Sequence, residues 1–201
     1  RFGTVHGVDL PEVDIVAPGA ADAVAASFKP DLVVNAAAYT DVEGAEDHAE
    51  AAFAVNRDGA GHVAAAAGAL GTPVVYYSTD FVFDGTKGAP YVPEDVTAPL
   101  SVYAASKAAG EQATRARNSR HFVVRTAWLY GPGGNNFVEK ILRAAAARPE
   151  LAVVEDETGS PTHTYDLAEA TAALVRTEAW GVYHVVNAGA CSRYEFAREI
   201  L

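Results

Sequence analysis

The 201 residues are 50% hydrophobic and 20% charged, with a mean hydropathy of +0.03, the balance of an ordinary globular chain rather than a disordered or membrane-spanning one. With 15 Lys and Arg against 26 Asp and Glu the formal charge is −11, so there is no basic field to hold a nucleic acid or an anionic membrane, and any phosphate must be met locally. The single cysteine, Cys191, excludes an intramolecular disulfide framework and a cysteine-rich metal site and fits a reducing compartment.

No run approaches the ~18 apolar residues of a membrane span, and the first residues lack a signal-peptide core, so a cytoplasmic location is expected. The chain opens Arg1-Phe2-Gly3 and contains no methionine, from which we expect it to begin downstream of the translation start.

In chain order, short β-branched or aromatic runs alternate with alanine-rich amphipathic stretches. Strands are predicted over residues 4–9, 32–36, 73–79, 122–126 and 182–187. Helices are predicted over 20–28, 46–70 with breaks near 56–61, 102–116, 136–147 and 166–177. This alternation predicts an α/β fold, a doubly wound parallel sheet covered on both faces. Residues 131–164 are richer in Gly, Pro and Asn and hold one further apolar run at 151–154. We therefore expect a division into a region 1–130 and a mixed segment 131–201, part of a smaller lobe plus a strand at 182–187 that returns to the sheet.

In such sheets ligands bind outside the carboxyl ends of the strands. The predicted strands end at Asp9, at Asn35-Ala36-Ala37-Ala38, at Ser78-Thr79-Asp80 and at Thr126-Ala127-Trp128. Tyr103 and Lys107 follow at the head of a helix, four residues apart and so on one face. An ammonium beside a phenol favours the phenolate, which predicts a lowered Tyr103 pKa and a side chain able to exchange a proton with a carbonyl or alcohol oxygen. The Thr79 hydroxyl would hold the same oxygen. A surface tyrosine beside a solvated lysine is the alternative reading of the pair alone.

Other chemistries lack support. No G-x-S-x-G elbow occurs, and none of the six histidines falls into an H-x-x-x-H or H-E-x-x-H pattern, so neither a serine hydrolase nor a metal site is expected. Glu43, Glu46, Asp47 and Glu50 read as a solvated helix face. Gly131-Pro132-Gly133-Gly134-Asn135-Asn136 before a helix would present free amides to a diphosphate, or is a plain loop.

Several strings carry a resemblance: Asn35-Ala36-Ala37-Ala38-Tyr39-Thr40, Val55-Asn56, Tyr77-Ser78-Thr79-Asp80-Phe81-Val82-Phe83-Asp84-Gly85, Tyr103-x-x-Ser106-Lys107-x-x-Gly110-Glu111 and Arg125-Thr126-Ala127-Trp128-Leu129-Tyr130-Gly131. They resemble the extended short-chain dehydrogenase/reductases, which are Rossmann-like, and within them the dTDP-4-dehydrorhamnose reductase family. The similarity runs over essentially the whole chain. It implies Thr79, Tyr103 and Lys107 as catalytic residues, with Tyr103 and Lys107 also meeting an NADPH or NADH cofactor. Asp9, Asp14 and Ile15 would meet its adenosine half, Asn35, Ala36, Ala37 and Ala38 would pass over the dinucleotide, and Asn56 would close the site or simply bond backbone. Thr40, Val42, Asp80, Trp128 and Asn136 would line the pocket of a nucleotide sugar. The implied activity reduces the 4-keto group of a dTDP-linked 6-deoxyhexulose to dTDP-L-rhamnose, for cell-wall polysaccharide. The partners expected are that substrate and, as an assembly, a homodimer, with no nucleic acid and no membrane.

Two departures stand out. Ala104 replaces the glycine usual after the tyrosine, a change that helix propensity favours. No G-x-G-x-x-G or G-x-x-G-x-x-G occurs among the 17 glycines, and Asp9 has too few residues before it for the usual spacing of about 20. The first strand and its glycine loop are therefore expected upstream of Arg1, and the end of the substrate lobe beyond Leu201. Two rival readings remain. One is a nucleotide-sugar epimerase or dehydratase; dehydratases of this superfamily carry Asp-Glu after the threonine, where this chain has Asp80-Phe81. The other is a non-catalytic regulatory subunit, expected to lose the tyrosine or the lysine.

Overall fold

The computed structural model describes residues 3–201; Arg1 and Phe2 lie outside the described residues. The chain divides into two compact units, one of Arg1–Arg125 with Glu178–Tyr183, the other of Thr126–Thr177 with His184–Leu201.

The first unit holds α1 (Ala20–Phe28), β1 (Val33–Asn35), α2 (Gly44–Asp47), α3 (Ala49–Phe53), a π-helical turn (Ala54–Gly59), α4 (Ala60–Ala69), β2 (Val74–Thr79), a short 3₁₀ turn (Asp80–Val82), α5 (Val102–Arg117) and most of β3 (His121–Thr126). A sheet of order β1-β2-β3-β7 is completed by β7 (Gly181–His184). β1 runs parallel to β2, with Val33 opposite Val74 and Asn35 opposite Tyr76. This is the α/β class that the alternation predicts.

Burial explains the order. Val74, Val75 and Tyr76 of β2 and Phe122, Val123 and Val124 of β3 are fully buried, as central strands covered on both faces require. α4 reaches the sheet through Ala60, Ala64 and Ala67, whose small side chains allow close approach to Val74, Tyr76 and Val123. Val34 of β1, by contrast, is 48% exposed, as fits one of the two outer strands of this order among the described residues.

Three expectations need correction. Residues 4–9 form no strand: Val5 is 83% exposed, and the segment runs into a turn in which the Asp9 carbonyl accepts from the amides of Glu12 and Val13. A β-rich sequence becomes a strand only when its amides find a neighbouring ladder, and here it is not laid against β1. The predicted 46–70 helix breaks at His48, with φ −127° and ψ 46°, and then widens at 54–59 instead of interrupting there. The predicted 182–187 strand stops at His184.

The second unit is built from short pairings and caps. β4 (Leu129–Tyr130) runs parallel to β6 (Thr162–His163), and β5 (Thr158–Gly159) antiparallel to β8 (Cys191–Ser192). α6 (Phe137–Ala147), α7 (Thr164–Leu174) and α8 (Arg193–Ile200) follow them, and Phe137 stacks on Phe196 with ring centroids 5.5 Å apart. α8 opens with a capping box between Ser192 and Glu195. No helix among the described residues is long and apolar enough to cross a membrane.

Candidate active site

The carboxyl end of β2 meets the first half of α5. Ser101 starts the helix, its hydroxyl accepting from the Ala104 amide at 3.2 Å. Ala104 is buried in the helix, so the departure from glycine costs no room and suits the helix. Tyr103, Lys107 and Glu111 then recur at i, i+4 and i+8 on one face.

Each of the three meets one residue of the strand end. The Tyr103 hydroxyl lies beside that of Thr79, close enough for the threonine to favour the phenolate. Lys107 Nζ donates to the Tyr77 carbonyl at 2.7 Å. The Ser78 hydroxyl donates to Glu111 Oε1 at 2.6 Å. Thr79 also donates to Asp80 Oδ1 at 3.0 Å and accepts from the Phe81 amide at 3.2 Å, which fixes its rotamer. Phe81 sets its edge against the Tyr103 ring, with centroids 6.1 Å apart.

The electrostatics differ from the expectation for the pair. Burial pushes the Tyr103 phenol up to about 12, the neighbouring Thr79 hydroxyl offsetting part and the Asp80 charge adding. Lys107 does not pull it down: its ammonium is engaged with the Tyr77 carbonyl and lies 4.2 Å from the centroid of the Tyr76 ring. Burial lowers Lys107 itself to about 7, and Glu111 opposes that fall. The site thus holds its proton on the phenol at neutral pH.

Asn56 ties a loop to this joint. It sits fully buried in the π-helical turn, accepts from the Tyr39 amide at 2.9 Å, and donates to the Tyr39 carbonyl at 3.1 Å and to Ser106 Oγ at 2.9 Å. Ser106 passes the link on to the Tyr103 carbonyl at 2.7 Å. Both amide protons of Asn56 are therefore spent inside the protein, the backbone-bonding alternative for this residue. The Tyr76 hydroxyl donates to the Asn56 carbonyl at 3.1 Å, and α5 passes so close that a Cβ on Gly110 would lie 2.0 Å from that oxygen.

The other expected residues of this unit are placed as follows. Asn35, at the end of β1, accepts from the Ala37 amide at 3.2 Å, while its buried Nδ2 has no partner. Ala36, Ala37 and Thr40 are exposed, and Ala38 and Val42 are partly buried. Asp9 and Asp14 are exposed and accept from the neighbouring amides of Leu10 and Val16. Ile15 packs on Gly59, and its carbonyl lies 3.0 Å from His62 Nδ1.

A nicotinamide dinucleotide fits this donor set. An unpartnered buried amide at the end of β1, small residues after it, and a phenol and an ammonium on one helix face are the groups such a ligand would use. Among the described residues no cluster suited to a metal ion occurs.

Trp128 and Asn136 belong to the second unit. Trp128 has φ 46°, unusual for a bulky residue, and is held by the Arg193 guanidinium 3.5 Å from its ring centroid and by Gly159, where a Cβ would lie 2.4 Å from the ring. Asn136 caps α6, accepting from the Glu139 amide at 3.2 Å and donating to the Gly131 carbonyl at 2.8 Å. Its polar atoms serve the loop and helix rather than projecting freely.

Sequence reasoning gave no role to Glu111, Ser78, Arg125, Ser106 or Arg193. The i, i+4, i+8 spacing of Tyr103, Lys107 and Glu111 was a usable signal for the first. Nothing local marks Arg193 as a partner of Trp128, 65 residues earlier.

The family described as the RmlD substrate binding domain matches residues 2–201. A dTDP-4-dehydrorhamnose reductase of Mycobacterium tuberculosis (strain CDC 1551 / Oshkosh) is 47% identical over 193 residues, 93% of this chain and 63% of that protein. One from Sinorhizobium fredii is 44% identical, covering 85% of this chain and 60% of its own length. A crystal structure of dTDP-4-dehydrorhamnose reductase from Bacillus anthracis str. Ames in complex with NADP superposes with a TM-score of 0.91 at 41% identity, over 94% of this chain and 67% of that one. The chain spans about 60% of the length of these curated relatives. On the family match and these identities, the chain belongs to the RmlD substrate-binding-domain family.

Proposed function

We propose that this chain is the working part of an NAD(P)H-dependent reductase that converts the 4-keto group of a dTDP-linked 6-deoxyhexulose to the alcohol of dTDP-L-rhamnose. The observation that carries the reading is Tyr103 beside Thr79 at the end of β2, with Lys107 one helical turn on and its amine on the Tyr77 carbonyl. The names of the relatives and the NADP in the Bacillus anthracis structure support the substrate and cofactor class.

A reduced nicotinamide, when bound, supplies the hydride that C4 receives. Tyr103 Oη gives its proton to the carbonyl oxygen as negative charge develops there, so one hydride and one proton complete the alcohol. A phenol held protonated to about 12 suits giving a proton to an alkoxide better than taking one from an alcohol. Thr79 Oγ1 holds the same oxygen, its rotamer set by Asp80 and the Phe81 amide. Lys107 would face the nicotinamide ribose. Asn35 and Ala36, Ala37 and Ala38 would lie along the dinucleotide; Asp9, Asp14 and Ile15 at its adenosine half; Asn56 would act through the Tyr39 loop that it holds. Thr40, Val42, Asp80, Trp128 and Asn136 are assigned to the sugar nucleotide.

Phe81 counts against the dehydratase reading, since an aromatic edge lies against Tyr103 where elimination of water needs a base. The intact Tyr103 and Lys107 count against a purely regulatory subunit. The same reading places the protein in the cytoplasm as a homodimer, which sedimentation of the purified protein tests. The deciding assay mixes the full-length protein with dTDP-4-keto-6-deoxy-L-lyxo-hexulose and NADPH or NADH and follows the loss of reduced-nicotinamide absorbance. No loss with either cofactor would overturn the proposal.

A further inference from the structure

The buried ion pair behind the active face has no part in the proton transfer described above. Arg125, on β3, meets Glu111 with both ends of its fork: Nε to Oε1 at 2.9 Å and Nη2 to Oε2 at 2.7 Å. Both side chains are about 5% exposed or less. Arg125 Nη1 also donates to the Pro93 carbonyl at 3.3 Å, and its guanidinium lies 5.1 Å from the Phe83 ring centroid. A buried ion pair contributes little net stability over apolar residues of similar volume, so packing alone does not account for it.

Its placement suggests a use. Residues 77 and 78 of β2 bond to Lys107 and Glu111, and residue 79 lies beside Tyr103, the three side chains being spaced one turn apart on α5. The middle strand residue therefore carries the anchor, and the two beside it carry the working groups. We infer that Glu111, held between Arg125 and Ser78, is a positioning residue for Lys107: it fixes the seating of α5 on β2 and supplies the buried negative charge that the lysine faces.

The elements packed around Lys107 bring the following groups among the described residues. α5 offers Tyr103 and Glu111; β2 offers the Tyr76 ring and the Tyr77 carbonyl; β3 offers Arg125, paired with Glu111; the turn after β2 offers Asp80, which is bonded to Thr79. Of these, Glu111 is the group that opposes the effect of burial on Lys107. Arg125 keeps that carboxylate satisfied on both oxygens, and Ser78 adds a further hydrogen bond.

The inference rests on Lys107 being a working part of the site, and its test is chosen to be independent of the substrate. The described stretch has four lysines, Lys29, Lys87, Lys107 and Lys140, so ¹³Cε-lysine NMR of the full-length protein follows the Lys107 signal, assigned by its loss in Lys107→Arg. The wild-type midpoint is expected near 7. Glu111→Gln should lower it by about one pH unit, the lower end of what a close opposite charge imposes. Ser78→Ala, which keeps both charges, should leave it in place. Should Glu111→Gln not fold because Arg125 is left unpaired, the double variant Glu111→Gln with Arg125→Met removes both charges together and should show a midpoint lowered by less, since a like charge leaves with the opposite one. An unchanged midpoint in the Glu111 variants, or an equal fall in Ser78→Ala, would overturn the inference. Neither nicotinamide nor sugar enters the measurement, so a failed reductase assay leaves its outcome readable.

Discussion

The joint between β2 and α5 and the segment around Trp128 both hold chemistry-bearing side chains, but by different means. In the joint, Tyr103 and Lys107 stand on a regular helix; Lys107 bonds the Tyr77 carbonyl, and Thr79 beside Tyr103 is fixed by hydrogen bonds with Asp80 and the Phe81 amide. Around Trp128, a left-handed backbone at φ 46° and one stacked guanidinium do the holding. Regular elements fix a reacting atom tightly because many bonds must fail together before it moves. A residue held by strain and one stack can yield, which suits shape recognition of a ligand better than proton transfer.

The largest effect should come from the joint. Tyr103→Phe is expected to lower turnover by roughly 10²–10⁴-fold, the contribution of a positioned general acid, with little change in NADPH affinity. Turnover near wild type would show that the tight joint has no catalytic purpose. Next comes Gly110→Ala. Its Cβ would lie 2.0 Å from the Asn56 carbonyl and 2.2 Å from the Tyr76 hydroxyl, with a backbone atom that cannot swing aside. Overpacking of this kind costs about 1–3 kcal/mol or more, and urea unfolding should show it. By comparison Gly159→Ala in the second unit meets the Trp128 ring at 2.4 Å, a side chain able to shift. Its expected signature is a raised KM for the sugar nucleotide with a smaller loss of stability. An equal loss of stability in both variants would erase the contrast between the regions.

A pH series sharpens the contrast through Lys107. Its folded pKa, about 7, lies below the model-peptide value of 10.5, so between those limits the unfolded chain binds more protons. Stability contributed by this site therefore rises as pH rises from about 7 towards 10.5. The unfolding free energy of wild type minus that of Lys107→Met, measured across this window, should increase with pH. A flat difference would mean that the amine is not buried as described. The smallest effect belongs to Asn136→Ala, which removes the cap of α6 and should cost about 1 kcal/mol in thermal or urea unfolding. A raised KM with no loss of stability would show that Asn136 touches substrate rather than holding its loop.

Much of this was legible in the residues. The Tyr103–Lys107 spacing and the Ser78-Thr79 strand end are local patterns, and helical and strand periodicities place them without further information. Helix 20–28 and the start of α5 at Val102 emerge where predicted because the apolar spacing and the Ser101 cap agree. What the residues hid is long-range. Whether 4–9 becomes a strand depends on a neighbour, not on its own composition. The rise of Tyr103 to about 12 depends on burial, which i and i+4 spacing does not report. The links of Glu111 to Arg125 and of Trp128 to Arg193 join elements far apart in sequence, and no local rule finds them.

The π-helical turn at 54–59 has a consequence for anyone who edits this chain. One surplus residue in a helix rotates everything after it by roughly a quarter turn, at 3.6 residues per turn. Asn56 lies within that turn, and α4 begins directly after it, so the surplus residue sets which alanines of α4 lie against β2. Removing a single residue between 54 and 59 would leave composition almost untouched and regularise the helix. It would also turn the alanine stripe off the sheet and take the asparagine away from Tyr39 and Ser106. At this point length, more than residue identity, is the inherited instruction.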